Sequence, residues 1–488
     1  MILLAGVDGG STGLKVALYV PDGRRVGYAY REYAIDYGPN GQATLNPMIW
    51  WQSLQSCFKE LSAQFELKQV ACLGISSANA MVLTDEHFSA VFPAIMQLDK
   101  RGAEMVAQVG RELGDDWLFS RTGNRNAPGY QWGPTLKWLQ TYEGERLAQA
   151  KRLCNPTSYL AARLTGKYTM DITRAATTLL YCPETGVWDG ELWRYFGLLE
   201  VEQPALLPPH ALLGHTLDGC GLPQGIPVAT GGIDTICAML GLSGGTPGDV
   251  LIMGSVGRFA AAVSQWDCRF LNTLSWDGRQ KISMTPVNNA GTALKWVRSL
   301  LLSGRDIQDV SYDQLNRLAE QVPPGSEGLR FFPFLNGASC PHWSEAVRGT
   351  FLGLEAYHTP GHLIRAVMEG VALSLGENQA LLAQCGGLCE DPVYLGGGGA
   401  KSLVWSQILC DVLGRELLLP EQVETETIGS ALLGGMACGL LRREDAAQWN
   451  QVRSRLTPDS SRKVEYAGLQ ARFSADYALL ERLYKGGG

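Results

Sequence analysis

The chain has 488 residues, of which 45% are hydrophobic and 18% are charged, so it is a globular protein with more than one core rather than a disordered chain. The formal net charge is -7 and no long basic run is present, which argues against a nucleic-acid partner because a phosphate backbone requires a basic surface. The 12 cysteines have no paired metal-ligand spacing and are expected to be reduced thiols of a cytoplasmic protein. The sequence predicts neither a signal peptide nor a membrane partner.

A glycine-rich turn follows the first predicted strand. Apolar residues predict strands at Ile2–Val7 and Leu14–Val20, and the turn between them carries Asp8, Thr12 and Lys15. Backbone N–H groups of such a turn can approach phosphate oxygens closely. A carboxylate can hold hydrated Mg²⁺, while the hydroxyl and the ammonium group suit phosphate, so the turn predicts a nucleotide triphosphate site. The alternative is an ordinary hairpin with a polar tip.

Strands and helices alternate through the next part of the chain, which favours an α/β class. Asn46 is a candidate N-cap, with Pro47 as the first residue of a helix running towards Phe65. The other predicted elements are strands near Arg24–Tyr33 and at Val70–Ser76, and helices around Lys100–Glu112, Pro134–Tyr142 and Thr157–Leu164.

Polar residues after two apolar stretches are candidate sugar contacts. Asn79 follows the strand at Val70–Ser76, and Asp99 and Arg101 follow the apolar stretch Val91–Leu98. A carboxylate, a guanidinium group and an amide could together grip a polyol. Such residues also commonly do no more than complete a turn.

Asp234 is the candidate catalytic base. The apolar run Ile226–Ala229 leads into Gly231 and Gly232, which places Asp234 at a crowded turn where a helix is expected to begin. A carboxylate there can accept the proton of a substrate hydroxyl. The alternative is a helix N-cap aspartate without catalytic function.

A weak internal repeat begins in the middle of the chain. Asp249–Val263 repeats the opening layout of strand, turn and strand, with Gly254 and Ser255 in the turn as candidate phosphate contacts. The glycine-rich segment Ser243–Gly248 precedes it and is a candidate boundary. These features predict two related halves, 1–244 and 245–488, with a nucleotide bound between them.

A second glycine-rich loop joins the predicted strand Pro392–Leu395 to the predicted helix Leu403–Leu413. A glycine-rich strand-to-helix junction lets a nucleotide approach the helix N-terminus, whereas a flexible linker is the alternative. The candidate nucleotide-binding residues of this loop are Gly397, Gly398, Gly399, Ala400 and Ser402.

Taken together, these motifs resemble the FGGY carbohydrate kinases. The segments that carry the resemblance are Asp8–Lys15, Gly231–Asp234, Gly254–Gly257, Gly396–Ser402, and above all Gly349–Leu354 continuing through His362-Leu363 to Ala366–Glu369. Pro134–Leu139 is similar to a further family signature, although Gln140 stands where that signature ends in tryptophan.

The resemblance implies a fold and a set of site residues. The expected fold is α/β, with two actin-like (ribonuclease H-like) ATPase domains and an interdomain cleft that takes ATP and a small sugar. It implies that Asp234 is the catalytic base, that Asp8 binds Mg²⁺, and that the glycine turns and Lys15 position the ATP phosphates. Asn79, Asp99, Arg101 and Asp234 would contact the sugar. The sequence leaves open whether the protein forms a homodimer.

The xylulokinases are the subgroup that the chain most resembles, which implies a pentulose such as xylulose as substrate. Two departures bear on this: Asn79 stands where xylulokinases have the histidine that meets the sugar, and Asn336–Ser339 replaces their Ser-Gly-Glu-Arg stretch. A polyol or sugar acid kinase, a sugar-sensing regulator with weak catalysis, and a chaperone-like ATPase are the alternatives.

Overall fold

The computed structural model describes residues 1–245, 248–301, 311–387, 392–422 and 424–486. The chain divides into two compact units. The first unit comprises Met1–Thr246, Trp266–Ile282 and Thr425–Asn450, and the second comprises Pro247–Gln265, Ser283–Glu424 and Gln451–Gly488. A single cut between residues 244 and 245 therefore leaves residues 245–246 and two later segments of the first unit on the other side. Residues 246 and 247 of the candidate boundary lie outside the described residues.

Strands and helices alternate in residues 1–245, as the sequence predicts. The strands there are β1 (Leu3–Gly9), β2 (Gly13–Tyr19), β3 (Arg25–Glu32), β4 (Asp36–Tyr37), β5 (Ala43–Leu45), β6 (Val70–Ser77), β7 (Ala80–Thr84), β8 (Ala94–Met96), β9 (Arg152–Cys154), β10 (Thr169–Asp171), β11 (Tyr181–Cys182), β12 (Val187–Trp188), β13 (Ala205–Leu207), β14 (Leu212–His215), β15 (Pro227–Ala229) and β16 (Gly232–Ile233). The helices are α1 (Met48–Leu61), α2 (Ala103–Leu113), α3 (Asp115–Thr122), α4 (Trp132–Tyr142), α5 (Gly144–Leu147), α6 (Pro156–Thr165), α7 (Ile172–Ala175), α8 (Gly190–Tyr195) and α9 (Asp234–Ser243).

The same alternation continues to the end of the described chain. The strands are β17 (Asp249–Met253), β18 (Gly257–Val263), β19 (Leu271–Leu274), β20 (Lys281–Val287), β21 (Arg330–Phe332), β22 (Thr350–Leu352), β23 (Val393–Gly396), β24 (Leu417–Pro420) and β25 (Val452–Leu456). The helices are α10 (Gly291–Leu301), α11 (Tyr312–Glu320), α12 (Pro360–Gln384), α13 (Leu403–Leu413), α14 (Thr425–Ala437) and α15 (Lys463–Gly486).

Helix α1 differs from its prediction at both ends. It begins at Met48, one position after the proline expected to open it, and it ends at Leu61 rather than near Phe65. The Asn46 side chain nevertheless accepts a hydrogen bond from the Met48 amide at 3.0 Å, so it satisfies a free donor of the first turn as a capping residue does.

The central sheet of the first unit has the strand order β14-β15-β6-β1-β2-β3, with β16 also paired to β6. Strand β1 is antiparallel to β2 and parallel to β6. Successive side chains of a strand point to opposite faces. Leu3 and Val7 accordingly join the core with α1 and α6, whereas Leu4 joins a core with α9 and α14.

The sheet of the second unit repeats this layout. Strand β17 is antiparallel to β18 and parallel to β23, which is in turn parallel to β24. The strand–turn–strand repeat predicted at Asp249–Val263 is therefore confirmed. A separate core of this unit packs Phe332 and Leu373 against Phe473 and Tyr477 of α15.

Two glycines let α14 lie directly on the sheet of the first unit. A Cβ at Gly6 would stand 1.9 Å from the Thr427 carbonyl oxygen, and one at Gly74 would stand 1.8 Å from that of Ser430. Both distances are far inside van der Waals contact, so only glycine fits. This close packing brings the first turn of α14 to the carboxyl end of β1.

No helix within the described ranges is long and apolar enough to span a lipid bilayer.

Candidate active site

Asp8 lies near the carboxyl end of β1, on the sheet face that α9 and α14 cover. Only 4% of its surface is exposed. Ser76 Oγ donates a hydrogen bond to Asp8 Oδ1 at 2.9 Å, and Lys15 Nζ lies 3.8 Å from Asp8 Oδ2. The strand register brings the three residues together, because Asp8 pairs with Lys15 on β2 and with Ser76 on β6.

Burial raises the pKa of Asp8 from the ordinary 3.8 to about 7. The Lys15 ammonium group opposes this shift, whereas the carboxylates of Glu426 and Asp234 add to it. Two further acidic side chains of the first unit thus act on Asp8 beside one lysine. Their mutual repulsion would be relieved by a bound divalent cation.

Asp234 opens helix α9, as the sequence predicts. The preceding turn is crowded: Gly231 has φ +81°, and a Cβ there would stand 2.2 Å from the Ile75 carbonyl oxygen. Ile233 is the N-cap residue and Asp234 the first residue of the helix, so the N-cap alternative is not what the structure has. Asp234 Oδ1 accepts hydrogen bonds from the Thr235 amide at 2.7 Å and from Thr235 Oγ1 at 3.1 Å.

Tyr33 holds the glycine turn between β1 and β2. Its hydroxyl donates to the Gly10 carbonyl at 2.7 Å, and its amide donates to the Thr12 carbonyl at 3.0 Å. Trp50 Nε1 in turn donates to the Tyr33 hydroxyl at 2.9 Å. The backbone of the turn is therefore fixed from outside, while the Thr12 side chain remains exposed.

The turn between β17 and β18 in the second unit is fixed through its carbonyl groups. The Gly254 carbonyl accepts from the Gly291 amide at 3.0 Å, and the Ser255 carbonyl accepts from the Ala290 amide at 3.1 Å. The Thr292 amide also donates to the Ser255 carbonyl, at 3.2 Å. The start of α10 thus supports the turn.

The loop after β23 packs against the same turn. Gly397 has φ +82°, and a Cβ there would stand 2.7 Å from the carbonyl oxygen of Met253, the last residue of β17. At the next position, Gly398, a Cβ would meet no atom within 4 Å. Ser402 caps α13 by accepting from the Trp405 amide at 3.2 Å. The structure thus brings the two predicted nucleotide segments of this unit together, and Ala400 of the second segment is buried.

The predicted sugar contacts are bonded within the protein. Asn79 Nδ2 donates to the Tyr130 carbonyl at 2.7 Å, and Asn79 Oδ1 accepts from Trp132 Nε1 at 3.0 Å. Asp99 accepts from the Arg101 side chain at 2.7 and 3.0 Å, and Ala43 N donates to the same carboxylate at 2.9 Å. These three side chains anchor loops. None of the hydrogen bonds named above joins them to Asp8 or Asp234.

Sequence reasoning missed Ser76 and Glu426 as partners of Asp8. Ser76 lies on β6 at the position paired with Asp8, which only strand register reveals. Glu426 is far away in the sequence and reaches the site because α14 packs on Gly6. The signal that could have identified Glu426 is an acidic residue in the first turn of an apolar helix that contains glycines.

The carboxylates at and around Asp8 suit a magnesium ion that is shared with a nucleotide better than one held by protein side chains alone. Within the part of the chain that the structure describes, no group of three or more His, Cys, Asp or Glu residues is arranged to hold a metal ion. Mg²⁺ is usually held by one or two carboxylates together with waters and substrate phosphates. A buried Asp8 with neighbouring acids fits that mode.

In a comparison with known protein families, two parts of the chain match the two domains of one family. Residues 3–241 match the N-terminal domain of the FGGY family of carbohydrate kinases, and residues 283–438 match its C-terminal domain. The crystal structure of a xylulose kinase from Rhodospirillum rubrum superimposes with a TM-score of 0.89 at 27% identity, covering 99% of this chain and 100% of that one. The expected α/β fold with two actin-like domains is confirmed.

Relatives with assigned names act on different acceptors. A gluconokinase from Bacillus subtilis is 28% identical, covering 99% of this chain and 96% of its own length. A glycerol kinase from Thermus brockianus is 30% identical, with 96% of this chain and 97% of the relative covered. A xylulose kinase from Escherichia coli is 28% identical over 84% of this chain and 85% of its own.

Proposed function

We propose a mechanism for this chain, which belongs to the FGGY family of carbohydrate kinases and is an ATP-dependent sugar kinase. In this mechanism Asp234 accepts the proton of the sugar hydroxyl as that oxygen attacks the γ-phosphorus of ATP. The bond from the γ-phosphorus to the bridging oxygen breaks, and ADP leaves with the bonding electrons. Positioning and charge stabilisation supply most of the catalysis in such a transfer.

The observation that carries this proposal is the electrostatic coupling of Asp8 to Asp234 and Glu426 beside Lys15. Phosphoryl transfer requires a base for the acceptor and a positive environment for the phosphates. Lys15 supplies a positive charge, and Asp234 supplies a carboxylate that accepts hydrogen bonds from Thr235 of its own helix.

ATP is the phosphoryl donor used by this family, and we assign Mg²⁺ to Asp8 on the donor chemistry described above. The ion would neutralise phosphate charge when bound. Thr12 and Lys15 of the first unit are assigned to the phosphates, as are Gly254 and Ser255 of the second. The segment Gly397–Ser402 is assigned to the adenosine end of the nucleotide, because its open position at Gly398 leaves room for a ligand beside the backbone.

For the acceptor we propose a pentulose such as xylulose. The support is the number of xylulose kinases among the relatives and the structural likeness to one of them. A sugar acid is the second candidate, because a gluconokinase aligns with 99% of the chain and because Asn79 replaces the histidine expected of xylulokinases.

The predicted sugar residues keep a role in this proposal. Asn79 holds residues 129–132 through its amide, and Asp99 with Arg101 ties the Ala43 backbone to the start of α2. We assign these three residues to the sugar site because they shape its walls. Where their remaining lone pairs and N–H groups allow, they would also contact the sugar directly.

The experiment is ADP release with Mg-ATP across ketopentoses, polyols and sugar acids, with Asp234→Asn as the control. A strong response to one compound that disappears in the variant supports both the kinase and the base. A flat panel with intact ATP binding contradicts the pentulose assignment and favours a sugar-sensing protein. ADP release that ignores every sugar contradicts the proposed function.

A further inference from the structure

A threonine on another element holds the backbone immediately before Asp234. Thr173 lies on the short helix α7 and is fully buried. The Ile233 amide donates a hydrogen bond to Thr173 Oγ1 at 3.3 Å. Ile233 is the N-cap of α9, so this bond acts on the Gly232–Ile233 peptide, one residue before Asp234.

The direction of the hydroxyl is set by an aspartate. Thr173 Oγ1 donates to Asp171 Oδ1, an oxygen that also accepts from the Arg174 amide and so acts as an acceptor. A hydroxyl has one hydrogen, so once it is given to Asp171 the oxygen presents lone pairs to the Ile233 N–H group. Asp171 is held in turn by the Arg174 amide, which donates to the same oxygen at 2.9 Å.

Thr173 is also tied down through its own backbone. Thr273 Oγ1 donates to the Thr173 carbonyl at 2.7 Å, and Thr273 is fully buried. The acceptor for Ile233 is therefore fixed on one side by Asp171 and on the other by β19. Such over-determined groups are suited to holding a second group in place.

The backbone before Asp234 is short and sharply turned. Strand β16 is two residues long and pairs with β6 through Gly232–Ser76 and Ile233–Ser77. The preceding Gly231 is in the left-handed region, where the chain turns sharply. The Asp234 carboxylate is bonded to Thr235, which moves with it. Thr173 holds this turn at Ile233, where the chain passes into α9 and reaches Asp234.

Asp171 also lies near the other acidic groups of the site. The buried thiol of Cys237, one turn along α9, has its pKa raised well above the ordinary value by burial, with the charges of Asp171, Asp8 and Asp234 adding to the shift. A single side chain on α9 therefore senses all three carboxylates. The Asp171–Thr173 pair underlies the same region of the first unit as the proposed reaction.

We propose that Thr173, oriented by Asp171, is a positioning residue for the catalytic carboxylate of Asp234. This inference rests on the proposed function, because it assumes that Asp234 is the base. Thr173 does not contact substrate. It acts through the Ile233 peptide, so its loss should lower the chemical step and leave nucleotide affinity unchanged.

The test compares Thr173→Val, which keeps the shape and removes the hydroxyl, with Thr173→Ser, which keeps the hydroxyl. Sugar-dependent kcat, the KM of the sugar and the Kd of Mg-ATP are measured, with thermal unfolding as a check on folding. We expect Thr173→Val to lower kcat by about 10- to 100-fold, the range found when a supporting contact is lost and a group is misplaced. Thr173→Ser should restore kcat to within about threefold, with Kd for Mg-ATP unchanged in both.

A double variant separates this inference from the proposed function. If Thr173 acts only through Asp234, Thr173→Val should cost nothing further in an Asp234→Asn background. The same fold-loss in both backgrounds overturns the positioning role. Wild-type turnover in Asp234→Asn alone overturns instead the assignment of the base, and no sugar-dependent turnover in the wild type overturns the proposed function.

A second variant guards against a folding failure. Thr173→Val removes two buried hydrogen bonds, one to Asp171 and one from the Ile233 amide, which can unfold a protein. Asp171→Asn keeps the volume and offers an N–H group that can turn the Thr173 hydroxyl away from Ile233. We expect kcat to fall by about tenfold with Kd for Mg-ATP unchanged. An unchanged kcat in this folded variant overturns the inference.

Discussion

Lys15 Nζ lies 3.8 Å from Asp8 Oδ2 because the two residues are directly opposite each other in the antiparallel pair β1–β2. Residues opposite each other in such a pair point to the same face of the sheet. The hairpin therefore delivers a positive charge and a carboxylate to one place without help from other elements. Ser76 joins them from the parallel neighbour β6.

Asp234→Asn should lower sugar-dependent turnover by roughly two orders of magnitude or more, since it removes the proposed base. Nucleotide binding should be nearly intact, because the amide keeps the size of the carboxylate. The measurements are ADP release at saturating sugar and calorimetric titration with Mg-ATP. Turnover comparable to the wild type would remove Asp234 from the mechanism.

The raised pKa of Asp8 predicts a specific pH dependence of stability. Its folded-state pKa of about 7 lies above the ordinary 3.8, so between these values the folded protein keeps a proton that the unfolded chain has lost. This group therefore stabilises the fold fully below about pH 4 and loses that contribution as pH rises through about 7. Burial is the main cause of the shift, and Glu426 contributes to it.

Glu426→Gln should consequently lower the pKa of Asp8 and flatten the loss of stability between pH 6 and 8. Urea unfolding of wild type and variant at both pH values measures the difference. Glu465→Gln is the matched control, because it also removes an acid from the first turn of a helix, and Glu465 is exposed on α15. An equal change of slope in both variants would contradict the coupling of Glu426 to Asp8.

Substitutions at two adjacent glycines of the second unit should distinguish the effect of ligand contact from the effect of backbone strain. Gly398 is exposed and has open space at its Cβ position, so Gly398→Ala should leave the melting temperature nearly unchanged. If the nucleotide lies against this backbone, the added methyl group should weaken ATP binding by about tenfold or more. Calorimetric titration with Mg-ATP measures this, and unchanged affinity would move the nucleotide away from Gly398.

Gly397→Ala is the comparison. Gly397 has φ 82° and ψ 175°, a conformation that essentially only glycine adopts, and strain there costs about 1–3 kcal/mol. A Cβ would also press on the Met253 carbonyl. This variant should lose thermal stability as well as nucleotide affinity. A stable Gly397→Ala protein would contradict the loop geometry.

The contact between β1 and α14 predicts a large effect at Gly6. Gly6→Ala places a methyl group far inside van der Waals contact of the Thr427 carbonyl oxygen, so helix α14 must move. The free energy of unfolding should fall by about 3 kcal/mol or more. Gly468→Ala, at an exposed helical position of α15 with no atom within 4 Å of its Cβ, should instead gain about 0.5–1 kcal/mol. Equal effects in denaturant unfolding would contradict the close approach of α14.

Much of the site could be predicted from local patterns. The hairpin carrying Asp8 and Lys15, the helix that begins at Asp234 and the strand–loop–helix around Gly397 all have short-range causes: apolar alternation, glycine at turns and acids at element ends. The predicted elements at these points are confirmed. Their functional roles stay predictions that the experiments above test.

The sequence by itself thus determined the family, the element order and the residues that carry acids and glycines at turns, because these depend on neighbours along the chain. Only the tertiary structure decided that Glu426 acts on Asp8 and that Thr173 holds the peptide before Asp234. It also decided that Asn79 and Asp99 are bonded to other parts of the protein. The reason is that strand register and helix packing join residues far apart in the chain, and nothing in the local pattern of one sequence specifies those pairings.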